Sequence, residues 1–224
     1  MIELNKIYNE NNCETMAKMP NNFCHVVFTS PPYNRKRNDK YDFYTDEIKN
    51  YYEFLVKTID ECKRVSSSNV FINLMANYYN KQDIYKIIGH YSEEIAQIFV
   101  WEKSNPLPAQ GNFITNAYEF ILAFGKLESN KTYTKNHLTT PIAKMEKTHK
   151  AIMPDKVAEY FILNFTKERD IIYDPFMGSG TTAKVCIRTN RNYVGSEISQ
   201  EYCELAEKKL KPYKQEIDMF HKVS

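Results

Sequence analysis

No Cys-x-x-Cys pair occurs among the five cysteines of this 224-residue chain (Cys13, Cys24, Cys62, Cys186 and Cys203). An odd count without metal-binding spacing argues against a zinc site and against a disulfide framework. No metal is therefore expected, and the thiols are expected to be reduced, as in a cytoplasm. No apolar stretch approaches the roughly 20 residues that cross a bilayer, so no membrane association is expected. The opening Met1-Ile2-Glu3-Leu4-Asn5 has neither the basic region nor the apolar core of a signal peptide. No internal repeat is visible. The dinucleotide fingerprint Gly-x-Gly-x-x-Gly and the Walker Gly-Lys-Ser/Thr turn are both missing, which disfavours a dinucleotide or a nucleoside triphosphate as ligand. Strong net charge is missing too: 30 basic against 28 acidic residues leave +2. A polyanionic partner would have to be met by local clusters.

What is present is an alternation of short apolar runs with helical periodicities. Strands are expected at 4–8, 24–28, 70–74, 95–101, 118–124, 171–173 and 192–195, the last ending at Glu197. Helices are expected from Asn11-Asn12, over 47–64, over 81–90, with Pro154 in a first turn, over 181–188 and over 199–210. This rhythm predicts a mostly parallel α/β sheet with helices on both faces. The length suits one domain, 1–224, with a small insertion at about 125–150. In that insertion six lysines (126, 131, 135, 144, 147 and 150) face two acids, Glu128 and Glu146. The segment reads either as a solvated surface or as a lysine cluster that neutralises phosphates. A second basic segment, with Arg35, Lys36, Arg37 and Lys40, reads as a mobile loop. His25 reads as a packed or edge histidine.

Two motifs carry chemistry. Ser30-Pro31-Pro32-Tyr33 directly follows the apolar run Val26-Val27-Phe28, so a hydroxyl and an aromatic ring are presented at a strand's carboxyl end. Far downstream, Asp174-Pro175-Phe176-Met177-Gly178-Ser179-Gly180-Thr181-Thr182 follows the strand Ile171-Ile172-Tyr173. Strand, glycine turn, helix, strand and acid is the order of a nucleotide-binding βαβ unit. Gly178 and Gly180 permit a tight turn and close approach of a ligand. Glu197, about 20 residues on, stands where an acid accepts hydrogen bonds from ribose hydroxyls. S-adenosylmethionine has an adenosine but no pyrophosphate. Asp174 is expected to hold its ammonium group or balance its positive charge, and Phe176 to pack on its adenine or its methionine part.

Together these segments resemble the β class of DNA amino-methyltransferases, which methylate N4 of cytosine or N6 of adenine. In that class the catalytic motif precedes the cofactor motif, as here. Trp101-Glu102-Lys103-Ser104-Asn105-Pro106, Asn116-Ala117-Tyr118-Glu119 and Val194-Gly195-Ser196-Glu197-Ile198-Ser199-Gln200-Glu201-Tyr202-Cys203 also resemble the class, so the likeness covers nearly the whole chain. It implies a Rossmann-like methyltransferase fold with circularly permuted motif order and S-adenosylmethionine as cofactor. Cofactor contacts are implied for Asp174, Pro175, Phe176, Gly178, Ser179, Gly180, Thr181 and Glu197. Asn12 stands where the class commonly has an acid that touches the adenine. His149-Lys150 stands where the class often has His-Pro.

The resemblance also implies a mechanism. Ser30 Oγ and the Pro31 carbonyl accept hydrogen bonds from the target amine and direct its lone pair toward the methyl group. Pro32 fixes the turn, and Tyr33 stacks on a base that has left the duplex. Serine at position 30 leans toward N4-cytosine, with N6-adenine as the alternative. The Ser30 hydroxyl is a weak base, so methyl transfer is expected before proton loss. The absence of a Pro-Cys dipeptide argues against C5 methylation. Motif order argues against a glutamine methyltransferase, and two intact motifs argue against a non-catalytic DNA-binding subunit. Double-stranded DNA is the implied partner, with contacts expected from Arg35, Lys36, Arg37, Lys135 and His137. A homodimer and a cognate restriction endonuclease are left open.

Overall fold

The computed structural model describes residues 1–35, 46–109, 111, 114–143 and 153–223, and of 216–223 the backbone alone. Among the described residues, eight strands form one sheet: β1 (Lys6–Tyr8), β2 (Cys24–Thr29), β3 (Ser66–Leu74), β4 (Ile95–Lys103), β5 (Tyr118–Phe124), β6 (His137–Thr140), β7 (Ile171–Asp174) and β8 (Asn192–Ser196). Their order is β1-β8-β7-β2-β3-β5-β4-β6. Only β5 runs against its neighbours, pairing antiparallel with β3 and β4. The other pairs are parallel, so the expected mixed, mostly parallel α/β sheet is the observed one.

Alternation along the central strands divides the core into two layers. Val26 and Phe28 of β2, Phe71 of β3 and Ile121 of β5 face α4 (Asp155–Phe165), α5 (Thr181–Arg188) and α6 (Gln200–Val223). Val27, Ile72 and Leu122 face α1 (Asn12–Ala17), α2 (Tyr51–Val65) and α3 (Lys81–His90). On the first face Phe161 anchors an aromatic cluster. Its ring lies 5.3 Å from Phe28, 4.8 Å from Phe71 and 5.2 Å from Phe99.

Local chemistry sets the element ends. The Asn11 side chain accepts from the Cys13 N–H at 2.9 Å and caps α1, as its position predicts. The helix expected from residue 47 begins at Tyr51, because the preceding segment clasps Asn34: Asn34 Nδ2 donates to the Ile48 carbonyl and Oδ1 accepts from the Ile48 N–H. Pro154 is the N-cap of α4 rather than part of its first turn. The last helix runs past the expected residue 210 to Val223, through Pro212. Within 125–150, expected to be an insertion, His137–Thr140 forms β6 and pairs with β4. Its burial alternates strictly, but four residues among lysines give a weak pattern. The five cysteines are free. His25 is an edge residue, accepting from the Ile171 N–H and lying 3.3 Å from Asp170. Among the described residues, no helix is long and apolar enough to cross a membrane.

Candidate active site

β7 and β2 are parallel neighbours, so Asp174 and Ser30 emerge side by side although 144 positions separate them in the chain. Ligands of open α/β sheets bind beyond the carboxyl ends of such strands. A cleft of about 920 Å3 lies there, lined by the Ser-Pro-Pro-Tyr turn, the Asp174–Thr182 turn, Asn12 and Glu197.

The Ser-Pro-Pro-Tyr turn is held by its backbone. Tyr51 donates to the Pro32 carbonyl at 2.7 Å, and Asn77 and Asn80 donate to the Tyr33 carbonyl at 2.8 and 2.7 Å. Asn34 follows in the left-handed region (φ 50°), with its N–H on Asp46 at 2.7 Å. Behind the turn lies a polar cluster that sequence reading did not assign. Ser30 Oγ is 2.6 Å from the Tyr33 hydroxyl, which donates to Glu119 Oε2 at 2.8 Å. Asn73 Nδ2 reaches Tyr33 Oη at 2.8 Å and Glu119 Oε2 at 2.7 Å, with Ser30 Oγ at 3.3 Å. Lys103 pairs with Glu119 Oε1 at 2.7 Å. Glu119 is 5% exposed and Asn73 fully buried. Burial, and then the neighbouring Glu119 carboxylate, hold the Tyr33 phenol well above its usual pKa, so it remains a donor. Asn73 had one legible signal: it is a polar residue inside the apolar run of β3.

At the other end of the cleft, Asp174 is 5% exposed, with three bonds to its carboxylate. Thr29 and Thr182 donate to it at 2.6 Å each, and the Phe176 N–H at 3.0 Å. These bonds give Asp174 a structural part beside the expected one of holding or balancing the cofactor's ammonium group. Its oxygens first tie the end of β2 to the turn and to α5, leaving little of the carboxylate uncommitted. Glu197 accepts from the Gly178 N–H and the Ser199 N–H, both at 2.9 Å. Burial raises the pKa of both acids, with the hydrogen bonds opposing it. Gly178 (φ 53°) and Gly180 (φ 87°) both adopt the left-handed conformation, and a Cβ at Gly180 would meet Ala206 Cβ at 3.1 Å. Pro175, Phe176, Ser179 and Thr181 line the same end, with Phe54 packed 5.8 Å from Phe176.

These residues fit an adenosine-bearing cofactor. Asn12 is 6% exposed, and its Nδ2 is buried without a hydrogen-bond partner. A buried donor left unpaired costs about 1–3 kcal/mol, and this one belongs to the lining of the cleft.

The expected DNA contacts are more dispersed. Arg35 pairs through Nε with Asp46 at 3.1 Å, and Asp46 is 1% exposed. Lys36 and Arg37 lie outside the described residues, as do Lys144, Lys147, His149 and Lys150. Lys135 is exposed ahead of β6, its carbonyl taken by the Tyr160 hydroxyl. His137 is also exposed, and its Nε2 is 3.1 Å from Glu102.

A mostly parallel sheet whose adjoining strand ends bring a Ser-Pro-Pro-Tyr turn and an acid-flanked glycine turn into one cleft is the arrangement expected of an S-adenosylmethionine-dependent amino-methyltransferase. Comparison with known proteins agrees. Residues 24–208 match the DNA methylase family of N6- and N4-methyltransferases. The type II methyltransferase M.HinfI of Haemophilus influenzae is 27% identical over 251 aligned positions, covering 94% of this chain and 69% of that protein. The orphan methyltransferase M.BamHII of Bacillus amyloliquefaciens is 38% identical over 144 positions, 63% of this chain and 49% of that one. Among solved structures, the cytosine-N4-specific PvuII DNA methyltransferase superposes with a TM-score of 0.74 at 19% identity, covering 95% of this chain and 92% of its own. The M1.HpyAVI complex with S-adenosylmethionine gives 0.66 at 26% identity, covering 92% and 99%. The chain belongs to the DNA methylase family, as a β-class DNA amino-methyltransferase of the restriction-modification type with S-adenosylmethionine as methyl donor.

Proposed function

We propose that this enzyme methylates the exocyclic N4 amine of a cytosine turned out of duplex DNA. The observation that carries the reading is the shared cleft, in which Ser30 Oγ and the Gly178–Glu197 end face one space. Bound there, S-adenosylmethionine supplies an electrophilic methyl group on a sulfonium. In this reading Glu197 accepts from its ribose, the unpaired Asn12 Nδ2 takes an adenine acceptor, and Phe176 packs on the cofactor. Pro175, Ser179, Gly180 and Thr181 shape the turn around it. Asp174 keeps the turn in place and adds negative charge near the ammonium group.

On the substrate side, Ser30 Oγ and the Pro31 carbonyl accept from the amine and localise its lone pair on nitrogen. Orientation of this kind is worth roughly 7–11 kcal/mol of barrier. Pro32 fixes the turn, and Tyr33 offers its ring to the base while its hydroxyl stays anchored. Of the 125–150 segment in this single catalytic domain, β6 belongs to the sheet, and Lys135 and His137 serve DNA recognition from the loop ahead of it and from its first residue. Arg35, Lys36 and Arg37, next in the chain after the catalytic turn, serve DNA binding at the flipped base, and Arg35 also pairs with Asp46. Cytosine is chosen over adenine on Ser30, the residue that leans to N4 chemistry in the class. The test is methylation of genomic DNA, digestion to nucleosides and mass spectrometry. N4-methyldeoxycytidine is expected. N6-methyldeoxyadenosine would overturn the choice of base, and neither product would overturn the reading as a whole.

A further inference from the structure

We infer that Glu119, acting through Tyr33, fixes Ser30 Oγ as an acceptor and receives the proton that the methylated amine must lose. The inference rests on the role of Ser30 proposed above, but not on which base is the target.

Counting hydrogens gives the direction. A phenol has one proton, and Tyr33 donates it to Glu119 Oε2 at 2.8 Å. The 2.6 Å contact between Ser30 and Tyr33 must then use the serine's proton. With that proton turned away from the cleft, Ser30 Oγ presents lone pairs to it. The Asn73 amide reinforces this polarity, because its Nδ2 donates to the same Glu119 oxygen and to Tyr33 Oη. Lys103, 2.7 Å from Oε1, balances the carboxylate's charge. Three strands thus hold one chain of donors that ends on an anion: Asn73 on β3, Lys103 on β4 and Glu119 on β5.

That chain is also a path for a proton. Once methylated, the amine is cationic and has one proton too many. Its N–H bond breaks with the electron pair left on nitrogen, and an O–H bond forms on Ser30. The original serine proton passes to Tyr33, and the tyrosine proton passes to Glu119. A cationic amine and a carboxylate become a neutral amine and a carboxylic acid, with Ser30 and Tyr33 neutral before and after. The order of events matches a hydroxyl too weakly basic to remove the proton first. Each donor now points the other way, so Ser30 donates toward the cleft until Glu119 gives up its proton. Glu119 does not touch the base, and its part is that of a positioning residue and a proton terminus.

The test uses the full chain with duplex DNA and saturating S-adenosylmethionine. Tyr33→Phe keeps the ring and leaves the Lys103–Glu119 pair intact. Its kcat is expected to fall at least about tenfold, toward the roughly 10²–10⁴-fold that general acid–base catalysis contributes. Its KM for DNA and its Kd for S-adenosylmethionine should stay within about threefold. Glu119→Gln should lower kcat similarly. Its KM for DNA and its Kd for S-adenosylmethionine should again stay within about threefold, a split between kcat and binding that a loss of packing would not give. If Glu119→Gln fails to bind the cofactor, it has lost its fold, and Tyr33→Phe decides alone. A Tyr33→Phe enzyme within about twofold of wild-type kcat overturns the relay, as does a folded Glu119→Gln enzyme within the same margin. In both cases an active wild type leaves the methyltransferase reading intact. A wild type that methylates neither base removes both.

Discussion

Glu197 and Asp174 face the same end of the cleft, and burial raises the pKa of each carboxyl above its ordinary value. For Glu197 the sign of the consequence is definite. Its ionised form accepts hydrogen bonds from hydroxyls, so cofactor binding favours the deprotonated acid and lowers its pKa. Affinity for S-adenosylmethionine is therefore expected to be constant well above the raised pKa and to weaken as pH falls through it. The decline begins at a higher pH than for an ordinary glutamate of pKa 4.5. Calorimetric titrations between mildly acidic and neutral pH will measure this, and Glu197→Gln should bind more weakly with a flatter profile. An identical acid limb in that variant would assign the effect to Asp174 instead. Both acids were legible from sequence, because each follows a strand at the spacing of a nucleotide-binding unit. The hydrogen bonds that occupy Asp174 were not, since Thr29 lies 145 residues away and only folding makes it a neighbour. Glu119 and Lys103 escaped for the same reason. Each sits in a segment that resembles the family, but neither acquires a role until β4 and β5 place them behind Ser30.

At the scale of elements, α4 holds the catalytic strand from behind. Phe161 is fully buried and touches the rings of Phe28 on β2, Phe71 on β3 and Phe99 on β4. Phe161→Ala is expected to cost about 3–5 kcal/mol, the range for truncating a core phenylalanine. Urea unfolding should show it as a lower midpoint at unchanged slope. A loss under about 1 kcal/mol would mean that the layer collapses around the cavity. The long strands and helices of this layer were readable, because their apolar periods run for several turns or pairs. Short or context-dependent elements were not. β6 depends on pairing with β4, and the start of α2 depends on the Asn34 clasp. The extension of α6 beyond Pro212 overrides a local breaker in a segment rich in helix-forming lysine and glutamate.

For the whole molecule, the cleft lies where the two halves of the chain meet. A ligand there binds only the folded state. At 100 times its Kd it should stabilise by about 2.7 kcal/mol. For a chain of this size that corresponds to a melting temperature higher by roughly 5–10 °C. A thermal scan with and without S-adenosylmethionine measures the shift, and an unchanged midpoint would place the cofactor outside this cleft. The pairing of β2 with β7 also sets a schedule. β2 leaves the ribosome early, and β3 can pair with one of its edges almost at once. Its other edge waits for β7, some 145 residues later, which is roughly 7–30 s at ordinary rates of synthesis. For that interval the nascent chain carries the Ser-Pro-Pro-Tyr turn on a strand with an unpaired edge, an invitation to wrong pairing. Synthesis speed and chaperone access between residues 29 and 174 thus bear on the yield of active enzyme as directly as the finished fold does.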